Sequence, residues 1–354
     1  MKNNIYSEKI IAWYLANKRD LPWRDIADPY RIWISEIILQ QTRVNQGLEY
    51  YLRLVERFPT VSELACADED EVLKYWQGLG YYSRARNLHK AAKRIMSDFN
   101  GIFPKTHKEI LSLSGVGEYT AAAVASFAYN LPFAVVDGNV YRVLSRLFAV
   151  ETPIDTGKAK REFALLAQNL LPKTKAGLHN QAMMEFGALH CVPQSPDCVN
   201  CPLQAQCRAF EQNLVAQLPR KSQKIKVTNR YFNYLFITFD GNTFLQKRTG
   251  NDIWKNLYEF PLIECEKLLS NDELFENEMF QKIFSDVECV EIKKISKTIK
   301  HVLSHRNVFA QFITIEISNE NDFLKRFIKT PVGEIDKYAV SRLIELFLEA
   351  SLRA

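Results

Sequence analysis

No stretch of this chain is long and apolar enough to span a bilayer. The longest, residues 121–136, is interrupted by Ser126, Asn130 and Pro132. The first ten residues carry no apolar h-region, so neither a secretory signal nor a membrane partner is expected. Internal repeats and low-complexity tracts are missing as well. Cysteine is scarce and odd in number, seven in 354 residues, and four of the seven crowd between positions 191 and 207. That pattern argues against a disulfide framework and for a reduced interior with a metal site. The scattered Cys66, Cys265 and Cys289 read as plain core residues. Excess charge is small: a formal +5 is compatible with a polyanionic partner without requiring one. A soluble, cytoplasmic protein is expected, long enough for two domains that each bury a core. A monomer is the default.

About the first 210 residues read as one helix after another. Asp28-Pro29 opens one with a capping side chain and a proline at the first helical position. Periodic apolar faces continue over 71–76, 84–99, 118–129, 138–149 and 158–171. The composition changes after Cys207. Residues 218–226, Leu-Pro-Arg-Lys-Ser-Gln-Lys-Ile-Lys, are polar and basic without periodicity and mark a linker. Beyond it the period becomes two. Residues 231–239 read as a strand, Asp240-Gly241-Asn242 as a hairpin turn and 243–247 as the returning strand. A further strand is predicted over 308–317 and a closing helix over 338–348. The first half is thus all-α and the second α+β.

Three local patterns carry chemistry. Cys191, Cys198, Cys201 and Cys207 follow the spacing C-x6-C-x2-C-x5-C. Four thiolates so placed can converge on one metal centre, and sulfur ligation suits zinc and iron–sulfur equally. Four protein ligands leave no open coordination position, so the role is structural. Upstream, 107–113 reads as helix, Ser-Gly-Val-Gly (114–117) as a tight turn, and Glu118 onward as a second helix. Glycines permit backbone conformations that other residues resist, and free N–H groups at the next helix start bind anions. Third, Val-Asp-Gly-Asn (136–139) stands at the mouth of another helix with Asp137 as its cap. Glu36 lies one helical turn from Ile32 and Trp33 on one side and from Leu39 and Gln40 on the other. That setting raises a carboxyl pKa. A carboxylate beside a backbone phosphate clamp suggests chemistry on nucleic acid.

The string Leu-Ser-Gly-Val-Gly-Glu-Tyr-Thr-Ala (113–121) resembles the helix–hairpin–helix DNA-binding motif. Hairpin, Val-Asp-Gly-Asn-Val and cysteine cluster follow in the order seen in the endonuclease III superfamily of DNA glycosylases. Trp-Ile-Ser-Glu-Ile-Ile-Leu-Gln-Gln-Thr (33–42) and Gly-Leu-Gly-Tyr-Tyr-Ser-Arg-Ala-Arg (78–86) are similar to the MutY-type adenine DNA glycosylases. More weakly, Trp254 to Pro261 and Ser304-His305 resemble the Nudix-like half of that family.

The resemblance implies a multidomain chain. An all-α helix–hairpin–helix glycosylase domain would span 1–215, with a [4Fe-4S] cluster loop at 191–207. A linker would follow at 216–228, and then an α+β Nudix-like domain at 229–354 that recognises 8-oxoguanine. It implies a monofunctional adenine DNA glycosylase of base excision repair, acting on duplex DNA with A·8-oxoguanine or A·G mispairs. Such an enzyme would be nucleoid-associated.

Roles follow residue by residue. Glu36 would protonate the adenine at N7, Asp137 would face the sugar, and Asn139 would orient water or that carboxylate. Tyr119 stands where endonuclease III enzymes carry a lysine that attacks the sugar; tyrosine cannot form that Schiff base. Gln41 and Tyr81 would fill or wedge the helix at the mismatch, and Gly115 and Gly117 would clamp a phosphate. Gln181 and Arg24 would line the pocket for the flipped base. Ser304 and His305 would probe 8-oxoguanine, beside a Leu303 where the family often has phenylalanine. Cys191, Cys198, Cys201 and Cys207 would hold the cluster. No Arg-Glu-x-x-Glu-Glu run lies between 257 and 284, so no magnesium cage and no nucleotide hydrolysis are expected.

Overall fold

The structure, a computed structural model, describes residues 2–222 and 227–352. Residues 223–226 of the expected linker, and the first and last two residues of the chain at the ends of the two expected domains, lie outside the described residues. The chain packs as two compact units. One is Met1–Cys66 with Asn87–Lys224, and the other is Ala67–Arg86 with Ile225–Ala354.

The described residues of the first unit form helices and no strands. The Pro29–Ile38 helix starts as read. Asp28 accepts the Tyr30 and Arg31 amide hydrogens, and Pro29 fills a position whose N–H would have no partner. The Glu118–Tyr129 helix buries small residues, Ala121, Ala122, Ala123 and Ala125, so it can lie close to the Pro29–Ile38 and Ala176–Leu189 helices. A core of Ile10, Tyr14, Leu144, Phe163 and Phe186 joins the Lys2–Asn17, Gly138–Phe148, Gly157–Leu170 and Ala176–Leu189 helices. Contact between the last of these and Asn139 depends on Gly187. A Cβ there would stand 2.8 Å from Asn139 Cβ and 2.9 Å from its carbonyl oxygen.

The glycine hairpin forms between two helices as expected, though the first is shorter than read, His107–Leu111. Its start is a reciprocal cap between Thr106 and Glu109. The two glycines differ in what they provide. Gly115 has φ +75°, and a Cβ on it would meet Asn87 Cβ at 2.6 Å, so both backbone and packing require glycine. Gly117 has an unstrained φ of −96° with open space around it. Its contribution is an uncovered helix start.

The second unit is built on one mixed sheet. Its strands are β1 (Thr228–Phe239), β2 (Asn242–Lys247), β3 (Tyr258–Glu259), β4 (Leu262–Cys265), β5 (Val290–Ile295), β6 (Ile299–Val302), β7 (Arg306–Ile317) and β8 (Ile328–Pro331). The order is β3-β2-β1-β7-β5, with β4 also on β1, β6 on β7 and β8 on β2. The central pair, β1 and β7, is parallel. Alternation along β1 sends Phe232, Tyr234 and Phe236 to one face, where Leu343, Ile344 and Phe347 of the Arg342–Leu352 helix cover them. Leu235 and Ile237 face the other way, onto Leu274, Phe280 and Ile283 from two short helices. A strand covered on both faces is apolar at successive positions.

Two expectations need correction. The closing helix begins at Arg342 rather than 338, because the chain before it bonds to the sheet. Tyr258 N–H donates to Ala339 O at 2.8 Å, and Tyr258 bridges Val340. Cys66 and Cys289 are exposed rather than core, since they stand where the chain leaves a helix and enters β5 at the surface. Among the described residues no helix is long and apolar enough to cross a membrane.

Candidate active site

Within the first unit, a cleft of about 530 Å³ is lined by Glu36, Tyr119, Asp137, Asn139, Gln181 and Arg24. Six of the residues singled out in the sequence therefore share one cavity. The Pro29–Ile38 helix delivers Glu36, the Glu118–Tyr129 helix Tyr119, the start of Gly138–Phe148 the Asp137 and Asn139 pair, and Ala176–Leu189 Gln181.

Glu36 is 5% exposed, and its carboxylate Oε2 accepts the Tyr119 hydroxyl hydrogen at 2.7 Å. Burial pushes the Glu36 carboxyl up to about 7. The Tyr119 hydrogen bond pulls it down, the charge of Asp137 raises it, and Arg24 lowers it. The acid is therefore substantially protonated at neutral pH. Burial, reinforced by the two carboxylates, also holds the Tyr119 phenol well above its ordinary value, so it stays a neutral donor.

Asp137 caps its helix as read, accepting Val140 N–H at 2.8 Å on Oδ1. The Asn139 carboxamide donates to the other oxygen, Oδ2, also at 2.8 Å. Burial raises the Asp137 carboxyl, while the Val140 and Asn139 donors and the nearby Arg142 guanidinium pull against it. Of the two carboxyls, Asp137 is the better solvated by protein donors. The pair is set to titrate apart, with the proton on Glu36.

Three neighbours went unnoticed in the sequence. Arg142 donates to Asn139 Oδ1 at 2.9 Å and to the carbonyls of Gly187 and Cys191 at 2.6 and 2.8 Å, linking the Asp137 cap to the start of the cysteine loop. Glu185 is buried between Arg19 and Arg24. Tyr14 hydrogen-bonds both Arg24 and Gln181. A usable signal existed for Glu185: it lies four residues after Gln181, alone in the apolar run Ala-Met-Met-Glu-Phe-Gly, and such a charge must be partnered.

Cys191 and Cys207 flank Arg146: its guanidinium donates to the carbonyls of Val192 and Pro193 and lies 3.4 Å from Cys191 Sγ, and Cys207 Sγ lies 3.5 Å from its carbonyl oxygen. Burial pushes up the thiols of Cys198, Cys201 and Cys207, Cys201 to about 11, and charge on neighbouring cysteines adds to it. Sulfurs that destabilise one another's anions are a donor set suited to a cationic centre. Among the described residues, no three His, Cys, Asp or Glu side chains are grouped so as to hold a single metal ion.

The remaining candidates lie elsewhere. Gln41 and Tyr81 are exposed, and both adopt left-handed backbone, φ 57° and 48°. Such a conformation in a bulky residue costs about 1–3 kcal/mol and is concentrated at functional sites. Gly115 and Gly117 precede the Glu118–Tyr129 helix, which no side chain caps. Ser304 and His305 are exposed on the turn between β6 and β7, in the second unit. In that unit Tyr81 also belongs, and its hydroxyl lies 2.5 Å from Ser304 Oγ. Leu303 packs partly into the core, leaving Val302 as the exposed apolar side chain of the turn.

Residues 34–168 match the HhH-GPD superfamily base excision DNA repair protein family, and residues 233–350 match the NUDIX domain. The chain is 35% identical over 327 residues to an adenine DNA glycosylase of Buchnera aphidicola subsp. Baizongia pistaciae, covering 91% of this chain and 89% of that protein. It is 41% identical over 209 residues to an adenine DNA glycosylase of Homo sapiens, 56% of this chain and 38% of that one. Among solved structures, a thermostable thymine-DNA glycosylase superposes with a TM-score of 0.55 at 30% identity, over 60% of this chain and 97% of that one. A non-covalent endonuclease III–DNA complex gives 0.51 at 26% identity, over 59% and 95%.

Proposed function

Since this chain belongs to the adenine DNA glycosylases of the HhH-GPD superfamily, we propose that it hydrolyses the N-glycosidic bond of adenine mispaired with 8-oxoguanine or guanine in duplex DNA, leaving an abasic site. The observation that carries the reading is the cleft itself: a buried carboxyl raised to about 7 and a hydrogen-bonded carboxylate line one cavity.

Breaking this bond makes the sugar cationic and the departing base anionic, so catalysis needs an acid at the base and an anion at the sugar. Glu36, protonated near neutral pH, hands its proton to N7 of the adenine. The leaving base then departs neutral. Asp137, fixed by Val140 and Asn139, keeps its negative charge against the developing cation; water then adds to the sugar carbon, and the proton it releases restores the acid form of Glu36. Tyr119 carries no amine to attack the sugar, so the phosphate backbone stays intact.

Reaching the base requires it to leave the stack, at a cost of a few kcal/mol. The uncapped start of the Glu118–Tyr129 helix, reached through Gly115 and Gly117, is suited to grip a backbone phosphate. Gln41 and Tyr81 are presented by strained surface backbone to fill or wedge the duplex at the mismatch. Ser304 and His305 offer donors and acceptors to the base opposite. The Nudix-like unit then serves as a reader of 8-oxoguanine rather than as a hydrolase.

Cys191, Cys198, Cys201 and Cys207 are the residues that would hold a [4Fe-4S] cluster, whose donor set is four thiolates. Bound there, a cluster would fix the shape of the 191–207 loop. The protein works as a monomer on nucleoid DNA in the cytoplasm.

The test is incubation with a duplex carrying a single A·8-oxoguanine pair. Free adenine and an alkali-sensitive but unbroken strand are expected. Release of an oxidised pyrimidine instead, with the adenine left in place, would refute the reading.

A further inference from the structure

One wall of the cleft holds charged groups that this mechanism does not use. Glu185 has 1% of its side chain exposed, yet two guanidinium groups meet it. Arg19 donates to its Oε1 at 2.8 Å and to its Oε2 at 2.7 Å, and Arg24 donates to Oε2 at 2.8 Å. Burial raises the Glu185 carboxyl, but the hydrogen bonds from Arg19 and the charges of both arginines outweigh it, and the group sits below its ordinary value. A permanently charged carboxylate therefore anchors Arg24.

The other arm of Arg24 donates from Nη1 to the Tyr14 hydroxyl oxygen at 2.6 Å. A guanidinium has donors and no acceptor, so Tyr14 must be the acceptor in this contact. Its one hydroxyl hydrogen is then free for its other polar neighbour, Gln181 Oε1, at 2.9 Å. Tyr14 is fully buried, so water does not compete. Turned over, the Gln181 carboxamide would leave the buried Tyr14 hydroxyl hydrogen without an acceptor, so the arrangement that pairs every group puts the amide oxygen on Tyr14 and its NH2 away from it. No protein acceptor takes that NH2 among the described residues, and Gln181 lines the cleft with Glu36 and Asp137.

We propose, resting on the adenine reading above, that Tyr14 is a positioning residue that locks the Gln181 carboxamide so that it turns its NH2 donors toward the extruded base. The wall then selects a base that turns a ring-nitrogen lone pair toward it. Adenine has such lone pairs at N1 and N3 besides the N7 reserved for Glu36, whereas guanine carries hydrogen at N1. Glu185 and Arg24 line the same cleft, and their ion pair fixes the guanidinium that in turn holds Tyr14.

Single-turnover excision should be measured on duplexes with adenine, 1-deazaadenine or 3-deazaadenine opposite 8-oxoguanine, for the wild type and Tyr14→Phe. In the wild type, one of the two deaza bases should leave at least about tenfold more slowly relative to adenine than it does in the variant, the worth of one unpaired buried donor. Comparing ratios cancels the change in intrinsic reactivity that each deaza base brings. Gln181→Glu keeps the shape of the side chain but removes its donors, so it should lower the same ratio; it gives the readout if Tyr14→Phe does not fold. A ratio unchanged in the folded variants would overturn the role of Tyr14 while leaving adenine excision standing. No adenine release by the wild type would overturn the adenine reading, and this inference with it.

Discussion

Tyr119 follows Glu36 by 83 residues, yet its hydroxyl donates to the Glu36 carboxylate at 2.7 Å. A hydrogen bond to the charged form favours that form, so this contact keeps the acid from being weaker still. Tyr119→Phe removes the donor, and the Glu36 carboxyl should then rise above about 7. Activity that depends on protonated Glu36 falls as pH increases through that value. The alkaline limb of the single-turnover excision profile should therefore move to higher pH in the variant. A limb that stays put or moves to lower pH means that another group sets it.

The same carboxyl makes stability depend on pH. Unfolded, Glu36 ionises near its ordinary 4.5, and folded it holds its proton to about 7. Between these values the unfolded chain loses a proton that the folded protein keeps. The contribution is thus fully present below 4.5 and gone once pH passes about 7. The shift corresponds to roughly 3 kcal/mol. Glu36→Gln has no such proton, so its stability relative to wild type should improve by an amount of that order from pH 4 to pH 8. Denaturant titrations across the range check this, and a difference flat in pH contradicts a raised, buried acid.

Borohydride probes the sugar chemistry. Tyr119 cannot form an imine with the abasic sugar. Incubation of the protein with A·8-oxoguanine duplex and borohydride, without heat or alkali, should trap little or no protein–DNA adduct. Efficient trapping would show that some other amine attacks the sugar.

On the proposed reading, the β6–β7 turn contacts the base opposite the adenine. Ser304→Ala combined with His305→Ala should lower selectivity for adenine opposite 8-oxoguanine over adenine opposite guanine by about five- to tenfold, the usual worth of a lost hydrogen bond or two. Excision from the A·G duplex serves as the internal reference. Unchanged selectivity counts against the turn.

Much of this was legible in the sequence for a simple reason: the features are local. Asp28-Pro29 marks a helix start and Gly115 a forced left-handed turn, each within a few residues. The division into helical and α+β halves follows from the change of apolar period. What stayed hidden depends on distant partners. Glu36 alone resembles any helix glutamate until Tyr119 and Asp137 are seen in its cleft. Tyr14 reads as an ordinary core aromatic because only the fold brings it to Arg24 and Gln181. The left-handed backbone of Gln41 and Tyr81 has no residue signature, since strain at non-glycine positions is imposed by surroundings. Residues 67–86 pack with the second unit through contacts such as Tyr258 Oη donating to Asp70 at 2.6 Å, and no composition change announces it.

The most direct measurement is single-turnover release of adenine from an A·8-oxoguanine duplex by wild type and Glu36→Gln at neutral pH, with duplex affinity measured alongside. Binding should persist while excision falls by at least about 10²–10⁴-fold, the contribution typical of a general acid. A Glu36→Gln protein that binds and excises at the wild-type rate would show that the buried carboxyl is not the acid, and the proposed chemistry would fail with it.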